Sequence, residues 1–304
     1  MTEEKIAGVE TQELFASGHR ACAGCGEALA LRHIMKAAGP NTIVTMATGC
    51  MEVVSTPYPE TAWKVPWVHC AFETAASVAC GVRAALNMKG DKKTNVIAIG
   101  GDGASFDIGF GALSGAIERG HKFLYIATDN EAYMNTGIQR SGATFPYANT
   151  TTTPAGKVIH GKQQPKKPLL FIVAAHGVKY AATASVMNLV DLNRKVKKAL
   201  ETDGPTFLHV FVPCVPGWKI DSSITIEIAR LAHQTGVSPM YEIEDGVLKL
   251  NKVSERKDVE DYIMRQGRFK HVTPEIMEKI QKYVDARYKF LEDNDGKKIF
   301  DTLF

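Results

Sequence analysis

Five short apolar runs, rich in β-branched and aromatic residues, recur along the chain: TIVTM at 42–46, NVIAI at 95–99, FLYIAT at 123–128, LLFIV at 169–173 and TFLHVFV at 206–212. Each is long enough for a strand and too short for most helices. Their near-continuous apolarity suits a parallel sheet covered on both faces. Helix-patterned stretches lie between them at 27–38, 74–88, 106–119 and 191–201, and Gly90, Gly120 and Gly204 follow three of these as stop signals. This alternation predicts an α/β fold, a mostly parallel sheet with helices on both faces.

The rhythm breaks in three places. The first 20 residues read as a polar lead-in. Residues 130–168 form a long segment dense in Thr, Gly, Pro and Lys, and long loops in compact domains tend to be functional or mobile. From Tyr241 onward, 27 of the last 64 residues are charged. A hairpin is expected over 241–250, turning at Asp245-Gly246, with charged amphipathic helices near 255–267 and 273–292. The expected organisation is a lead-in over 1–20, a main domain over 21–240, and a charged extension over 241–304 that lies on the surface or against a partner.

The 304 residues carry 36 Lys and Arg against 33 Asp and Glu, with no long basic run, which argues against a nucleic-acid partner. No apolar stretch is long enough for a bilayer span. The opening MTEEKIAGVE lacks the basic and apolar regions of a signal peptide. A cytoplasmic location is the expectation, and thiols stay reduced there. The six cysteines therefore read as metal ligands or core residues rather than disulfides.

Cys22 and Cys25 form a glycine-flanked CxxC, ACAGCGE, and glycine lets backbone come close to a bulky ligand. A lone CxxC fits zinc, a redox dithiol or an iron–sulfur site. The absence of a preceding strand weighs against a thioredoxin-type dithiol. Cys50 and Cys214 each lie just past an expected strand, and ligands of open parallel sheets gather at the carboxyl ends of strands. Four thiolates, Cys22, Cys25, Cys50 and Cys214, can then meet as a zinc or [4Fe–4S] site, and one CxxC plus two distant cysteines favours the cluster. Cys80, in an Ala-rich helical stretch, and Cys70 read as core residues.

The run NVIAI leads straight into Gly100-Gly101-Asp102-Gly103-Ala104 and then a helix. Backbone N–H groups at such a turn favour phosphate. An aspartate there repels phosphate unless a divalent cation lies between them, so Asp102 points to a metal-bridged diphosphate. The next expected strand ends at Asp129-Asn130, which places Asn130 beside Asp102. A carboxylate, an amide oxygen and a backbone carbonyl are hard ligands that suit Mg²⁺.

The GDG-to-Asn spacing resembles the thiamine diphosphate motif. GHRACAGCGEALALR, ATGCMEVVSTPYP, GGDGASFDIGFGALSGAIERG, DNEAYMNTGIQRSGAT and GPTFLHVFVPC together resemble the β subunit of 2-oxoacid:ferredoxin oxidoreductases, the pyruvate synthase group, over about residues 15–250. The resemblance implies thiamine diphosphate with Mg²⁺ and a nearby [4Fe–4S] cluster held by Cys22, Cys25, Cys50 and Cys214. It assigns Gly101, Asp102, Gly103 and Ala104 to the diphosphate loop. Asp102, Asn130 and the Ala132 carbonyl become Mg²⁺ ligands. Glu27 and Cys50 touch the cofactor, which Asn130, Glu131, Ala132, Tyr133, Met134 and Asn135 wrap. Asn135 faces the substrate, and Thr48, two residues before Cys50, lines the same pocket.

The implied reaction is oxidative decarboxylation of a 2-oxoacid, with electrons passed through the cluster to ferredoxin. Pyruvate, giving acetyl-CoA and CO₂, is the leading substrate. Departures from the family pattern at Ser141–Ala148 and Val215–Trp218 keep oxalate, without coenzyme A, as an alternative. A non-catalytic zinc or electron-transfer module is the other. Only one cofactor-type domain is visible, so an α subunit carrying the pyrimidine side is expected, with further cluster-bearing chains. His176 and His209 read as structural. Lys157, Lys162, Lys166 and Lys167 read either as a docking surface for ferredoxin or a coenzyme phosphate, or as a solvated loop.

Overall fold

A computed structural model describes residues 5–304. A two-stranded hairpin, β1 (Lys5–Ile6) and β2 (Val9–Glu10), stands before the main body. The other strands, β3 (Thr42–Ala47), β4 (Trp67–Cys70), β5 (Asn95–Gly101), β6 (Phe123–Asp129), β7 (Tyr180–Ser185), β8 (Pro205–Phe211), β9 (Tyr241–Glu244) and β10 (Val247–Leu250), form one eight-stranded sheet in the order β10-β9-β7-β8-β6-β5-β3-β4. From β4 to β7 all pairings are parallel; the β9–β10 hairpin adds antiparallel to β7. The helices are α1 (Gly26–Ala38), α2 (Cys50–Ser55), α3 (Ala75–Met88), α4 (Phe110–Glu118), α5 (Leu169–Ala174), α6 (Leu189–Glu201), α7 (Val215–Trp218), α8 (Thr225–Gln234), α9 (Glu260–Ile263) and α10 (Pro274–Asp293). None of them is long and apolar enough to cross a membrane.

Strand alternation explains the double coat of helices. Ile97, Ile99, Leu124, Ile126, Leu208 and Val210 point to one face and join Leu31, Ile34, Leu192 and Val196 of α1 and α6. Val96, Ala98, Phe123, Tyr125 and Phe207 point to the other and meet residues of α3, α4 and α5. Both faces are buried, as near-continuous apolar runs require.

The run at 169–173 is a helix, not the expected strand. Short apolar runs do not distinguish the two by periodicity. Here Leu169, Leu170, Val173 and Ala174 share a buried helical face behind Pro168. The strand at this point of the sheet is Tyr180–Ser185, whose alanines hide it from a search for β-branched residues. Trp67–Cys70 is a further strand the sequence pattern did not reveal. The expected helix at 106–119 begins only at Phe110, after a π-type turn over Gly103–Asp107. The helix at 255–267 shrinks to the single turn α9 followed by a short 3₁₀ segment over Gly267–Phe269.

The charged segment from Tyr241 is tied into this body. Its hairpin turns at Asp245 (φ 48°) and Gly246 (φ 79°), the doubly positive pattern of a tight β-turn. Ile276, Ile280 and Val284 of α10 share a core with Phe145, Phe211 and Trp218.

Candidate functional site

The adjacent strands β3, β5 and β6 end on one edge of the sheet. A cavity of about 280 Å³ opens there, walled by Thr48 and Cys50 after β3, by Gly101, Asp102 and Gly103 at the end of β5, and by Asn130, Ala132, Tyr133, Met134 and Asn135 after β6. Glu27, Glu52 and Phe72 also line it. The turn is crowded on one side: a Cβ on Gly103 would sit 2.4 Å from the Tyr133 ring and 2.8 Å from Phe72. Tyr133 is itself fixed, donating from its hydroxyl to Asp107 Oδ2 at 2.8 Å.

Asp102 is buried and accepts from Ser141 Oγ at 2.5 Å. Burial, and then the charge of Asp129, pushes its carboxyl well above the ordinary range. One end of the Asn130 side-chain amide lies 2.8 Å from the Ala132 carbonyl oxygen and 3.1 Å from Asp102 Oδ1. With nitrogen there, the amide donates to both. With oxygen there, three oxygens converge, a donor set for a hard divalent cation. The backbone here is fixed from behind, since Trp218 Nε1 donates to the Asn130 carbonyl at 2.8 Å. Glu27, at the start of α1, is buried and accepts from Thr128 Oγ1 at 2.6 Å. Burial pushes its carboxyl up to about 7, with the Thr128 hydroxyl and the Asn130 amide opposing.

A second cavity, of about 250 Å³, is walled by Cys22, Cys25, Cys50 and Cys214. It shares Glu27, Cys50, Asn130, Met134 and Asn135 with the first. All four thiols are free. Burial, with smaller contributions from neighbouring acidic groups, raises Cys25 to about 11 and Cys214 to about 12, and raises Cys50 further. Among the described residues, no three His, Cys, Asp or Glu side chains stand ready-grouped for a metal ion. The glycines around the CxxC are required by close packing within the chain. A Cβ on Gly24 would meet the Ser222 carbonyl at 2.3 Å and one on Gly26 the Pro213 carbonyl at 3.0 Å. They let this loop press against the segment that carries Cys214. Cys70 and Cys80 are buried elsewhere, with Cys80 Sγ 3.6 Å from the Ala116 carbonyl.

Two of the expected site residues do not line either cavity. Ala104 is buried in the π-type turn against Ala47, Cys70 and Ala75. Glu131 adopts a left-handed backbone (φ 67°) and its carboxylate points away, to Lys166 Nζ (2.9 Å) and Arg268 Nη2 (2.6 Å). It belongs to an ion network that sequence spacing gave no means of finding. Asp129 pairs there with Lys166 and with His209 Nε2 (2.6 Å). Burial works to raise the Asp129 carboxyl, but Lys166 and His209 outweigh it and hold it well below the carboxylate range.

The lysine loop is mostly turned inward rather than solvated. Lys162 is fully buried and donates to the carbonyls of Thr144 (2.5 Å), Pro165 (3.2 Å) and Gly142 (3.4 Å). Lys166 is in the network, and Lys167 reaches the Phe106 carbonyl and Asp107. Only Lys157 is exposed. His176 stays with Ser114 and the Ile172 carbonyl, away from the cavities.

Residues 47–210 match the family described as thiamine pyrophosphate enzyme, C-terminal TPP binding domain. The chain is 54% identical to pyruvate synthase subunit PorB of Methanocaldococcus jannaschii over 92% of this chain and 97% of the relative. It is 48% identical to PorB of Thermotoga maritima, with 90% of each chain covered. It is 46% identical to ketoisovalerate oxidoreductase subunit VorB of Pyrococcus abyssi, covering 92% and 93%. Its fold matches a chain of 2-oxoglutarate:ferredoxin oxidoreductase from Magnetococcus marinus with a TM-score of 0.58, at 19% identity and coverage of 93% and 92%.

Proposed function

Because this chain belongs to the thiamine pyrophosphate enzymes, as a β-type subunit of the 2-oxoacid:ferredoxin oxidoreductases, we propose that its complex oxidatively decarboxylates pyruvate to acetyl-CoA and CO₂. The observation that carries this reading is the shared wall between the two cavities. A group oxidised in one lies beside four thiols in the other, and all four come from the positions that the family motifs mark.

We assign Asp102, Asn130 and the Ala132 carbonyl to Mg²⁺, and Cys22, Cys25, Cys50 and Cys214 to a [4Fe–4S] cluster. The residues fit both groups. The Asp102 carboxyl is buried beside the Asp129 charge and gains from a divalent cation. The thiols are unbridged and face one space. Thiamine diphosphate supplies the electron sink for loss of CO₂, and the cluster supplies a one-electron carrier. The chain positions them: Gly101 to Gly103 offer a turn close to the diphosphate, Tyr133 and Met134 wall the space, and Thr48 and Asn135 face the substrate. Residues 21–240 carry these groups, and 241–304 complete the sheet edge.

The chain works within a multi-subunit oxidoreductase. An α subunit closes the cofactor space from the pyrimidine side, and ferredoxin accepts the electrons. We place the complex in the cytoplasm, where reduced thiols persist. The test offers the anaerobically purified complex pyruvate, ketoisovalerate, 2-oxoglutarate and oxalate, with and without coenzyme A, and follows ferredoxin reduction. The expected result is a coenzyme A-dependent preference for pyruvate and a brown, iron- and sulfide-containing chain. Preference for oxalate without coenzyme A, or a colourless zinc protein, overturns it. The isolated chain, reconstituted with iron, sulfide, Mg²⁺ and thiamine diphosphate, is expected to be inactive.

A further inference from the structure

A third cavity, of about 520 Å³, opens between α5, α10 and the strands β8 and β9, and it shares no lining residue with the other two. Its walls are apolar and largely aromatic. Phe171 stacks on Tyr241 (5.6 Å, 25°), and Phe290 meets Phe171 edge-on (5.6 Å, 74°). Tyr283 and Leu291 of α10 line it as well. Apart from the tyrosines, the ionisable groups at the wall are all bases: Lys166, Lys167, His209 and Arg287 line it, and no Asp or Glu does among the described residues.

Two of these groups have unused capacity. Tyr241, at the start of β9, is 7% exposed, yet its hydroxyl has no hydrogen-bond partner among the described residues. Burial raises that hydroxyl above its ordinary range and the Arg287 charge opposes the rise, so the guanidinium is near enough to act on it. Arg287 lies over the Tyr283 ring (5.3 Å) and has no acidic partner among the described residues. Lys166, Lys167 and His209, by contrast, are already paired with Asp129, Glu131 and Asp107. Native interiors rarely leave a buried hydroxyl unpaired. A carboxylate fits what remains: it accepts from the Tyr241 hydroxyl and from the flat guanidinium, and an attached ring suits aromatic walls. We propose that this cavity binds a small aromatic carboxylate, held by Tyr241 and Arg287 and separate from both other cavities. Mostly apolar cavities of about 300–1,000 Å³ with a few placed polar groups are the usual form of small-molecule sites.

The test titrates the assembled complex by calorimetry with 4-phenylbutyrate, with its uncharged amide 4-phenylbutanamide, and with butyrate, which lacks the ring. The expected result is one 4-phenylbutyrate per copy of this chain, with the amide and butyrate each weaker by at least roughly tenfold. Tyr241→Phe keeps the ring and Arg287→Gln keeps a polar stem. Each is expected to weaken 4-phenylbutyrate by roughly tenfold to a hundredfold, the range for a hydrogen bond to a charged group. Without ligand, Tyr241→Phe should leave the Tm of the complex unchanged or raised, since it removes an unpaired hydroxyl; a structural role for that hydroxyl would lower it. Ala286→Trp, which fills the cavity from α10, should abolish binding, and Asp102→Asn, in the first cavity, should leave it intact. No heat up to about 10 mM ligand, equal binding of acid and amide, or binding untouched by Tyr241→Phe and Arg287→Gln overturns the inference. So does a Tyr241→Phe complex that separates into its subunits, which makes a partner chain the occupant. Should Arg287→Gln not fold, Tyr241→Phe and Ala286→Trp decide together: loss of binding in both supports the site, and full binding in either refutes it.

Discussion

Asp129 and Asn130 are neighbours in sequence and belong to two regions built on opposite rules. Behind β6, every ionised group named in the network has an internal partner: Asp129 with Lys166 and His209, Glu131 with Lys166 and Arg268. In front, no ion pair reaches Asp102 among the described residues, and the charge of Lys166 is only a lesser influence on it. Asp102 accepts from the Ser141 hydroxyl, and four thiols face a shared space, with burial holding the protons on Cys25, Cys50 and Cys214. Burial without a counter-charge is costly. On the proposed function the groups at the cavity wall are kept for ligands, whereas the paired set serves the scaffold. The two regions should therefore respond to substitution in opposite currencies, stability behind and ligand content in front.

The largest effect is expected behind. Lys166→Met leaves the buried Asp129 and Glu131 carboxylates facing each other with one cation fewer, and removing one partner of a buried pair costs about 3–5 kcal/mol. Urea denaturation of the variant measures it, and a loss under about 1 kcal/mol breaks the distinction.

Lys162 gives a pH signature of the same region. Burial holds its ammonium down to about 8, against an ordinary 10.5. Below pH 8 both folded and unfolded chains are protonated there and the buried charge is carried at full cost. Between about 8 and 10.5 the folded chain gives up the proton first, so its stability rises relative to the unfolded chain, by up to about 3 kcal/mol. Denaturation of wild type and Lys162→Met at pH 7.5 and 10 checks the sign: wild type should gain on the variant at the higher pH.

In front, Asp102→Asn should leave folding stability within about 1 kcal/mol of wild type, or raise it, while weakening thiamine diphosphate and Mg²⁺ binding on the order of 100-fold, or about 2.7 kcal/mol. Titration calorimetry on the complex reads both ions together. The smallest effect is a contrast between cysteines. Cys80→Ala should cost about 1 kcal/mol and no iron, whereas Cys50→Ala should abolish the iron content.

What could be read from sequence follows the same divide. The groups at the cavity walls sit at turns whose chemistry is local: a GDG after one strand, an Asn after the next, cysteines just past two more. Strand order then brings them together, so residue type and spacing sufficed for Asp102, Asn130 and the four cysteines to be placed around adjoining cavities. The paired network has no local signature. Arg268 reaches Glu131 from a segment after α9, and nothing in either neighbourhood announces the other. The lysine loop misled for a related reason: composition reports charge, not whether a buried carbonyl cluster has drawn it inward. Thr48, two residues before Cys50, lies at the wall of the first cavity. Packing decided the helix at 169–174 and the strand at 180–185, where Ala-rich YAATAS outcompetes Leu-rich LLFIVA for a central place in the sheet.

The spread of the four thiols along the chain also sets an order of events during synthesis. Cys22, Cys25 and Cys50 emerge early, whereas Cys214 follows β8, which must first slot between β6 and β7. At a ribosomal pace of about 5–20 residues per second, the first three thiols wait roughly ten seconds or more for the fourth. Throughout that interval the nascent chain presents an incomplete set of sulfurs next to an unfinished sheet. On the cluster assignment proposed above, iron and sulfide delivered before β8 docks would meet three of the four proposed ligands, so that assignment ties maturation of this subunit to the closing of its sheet.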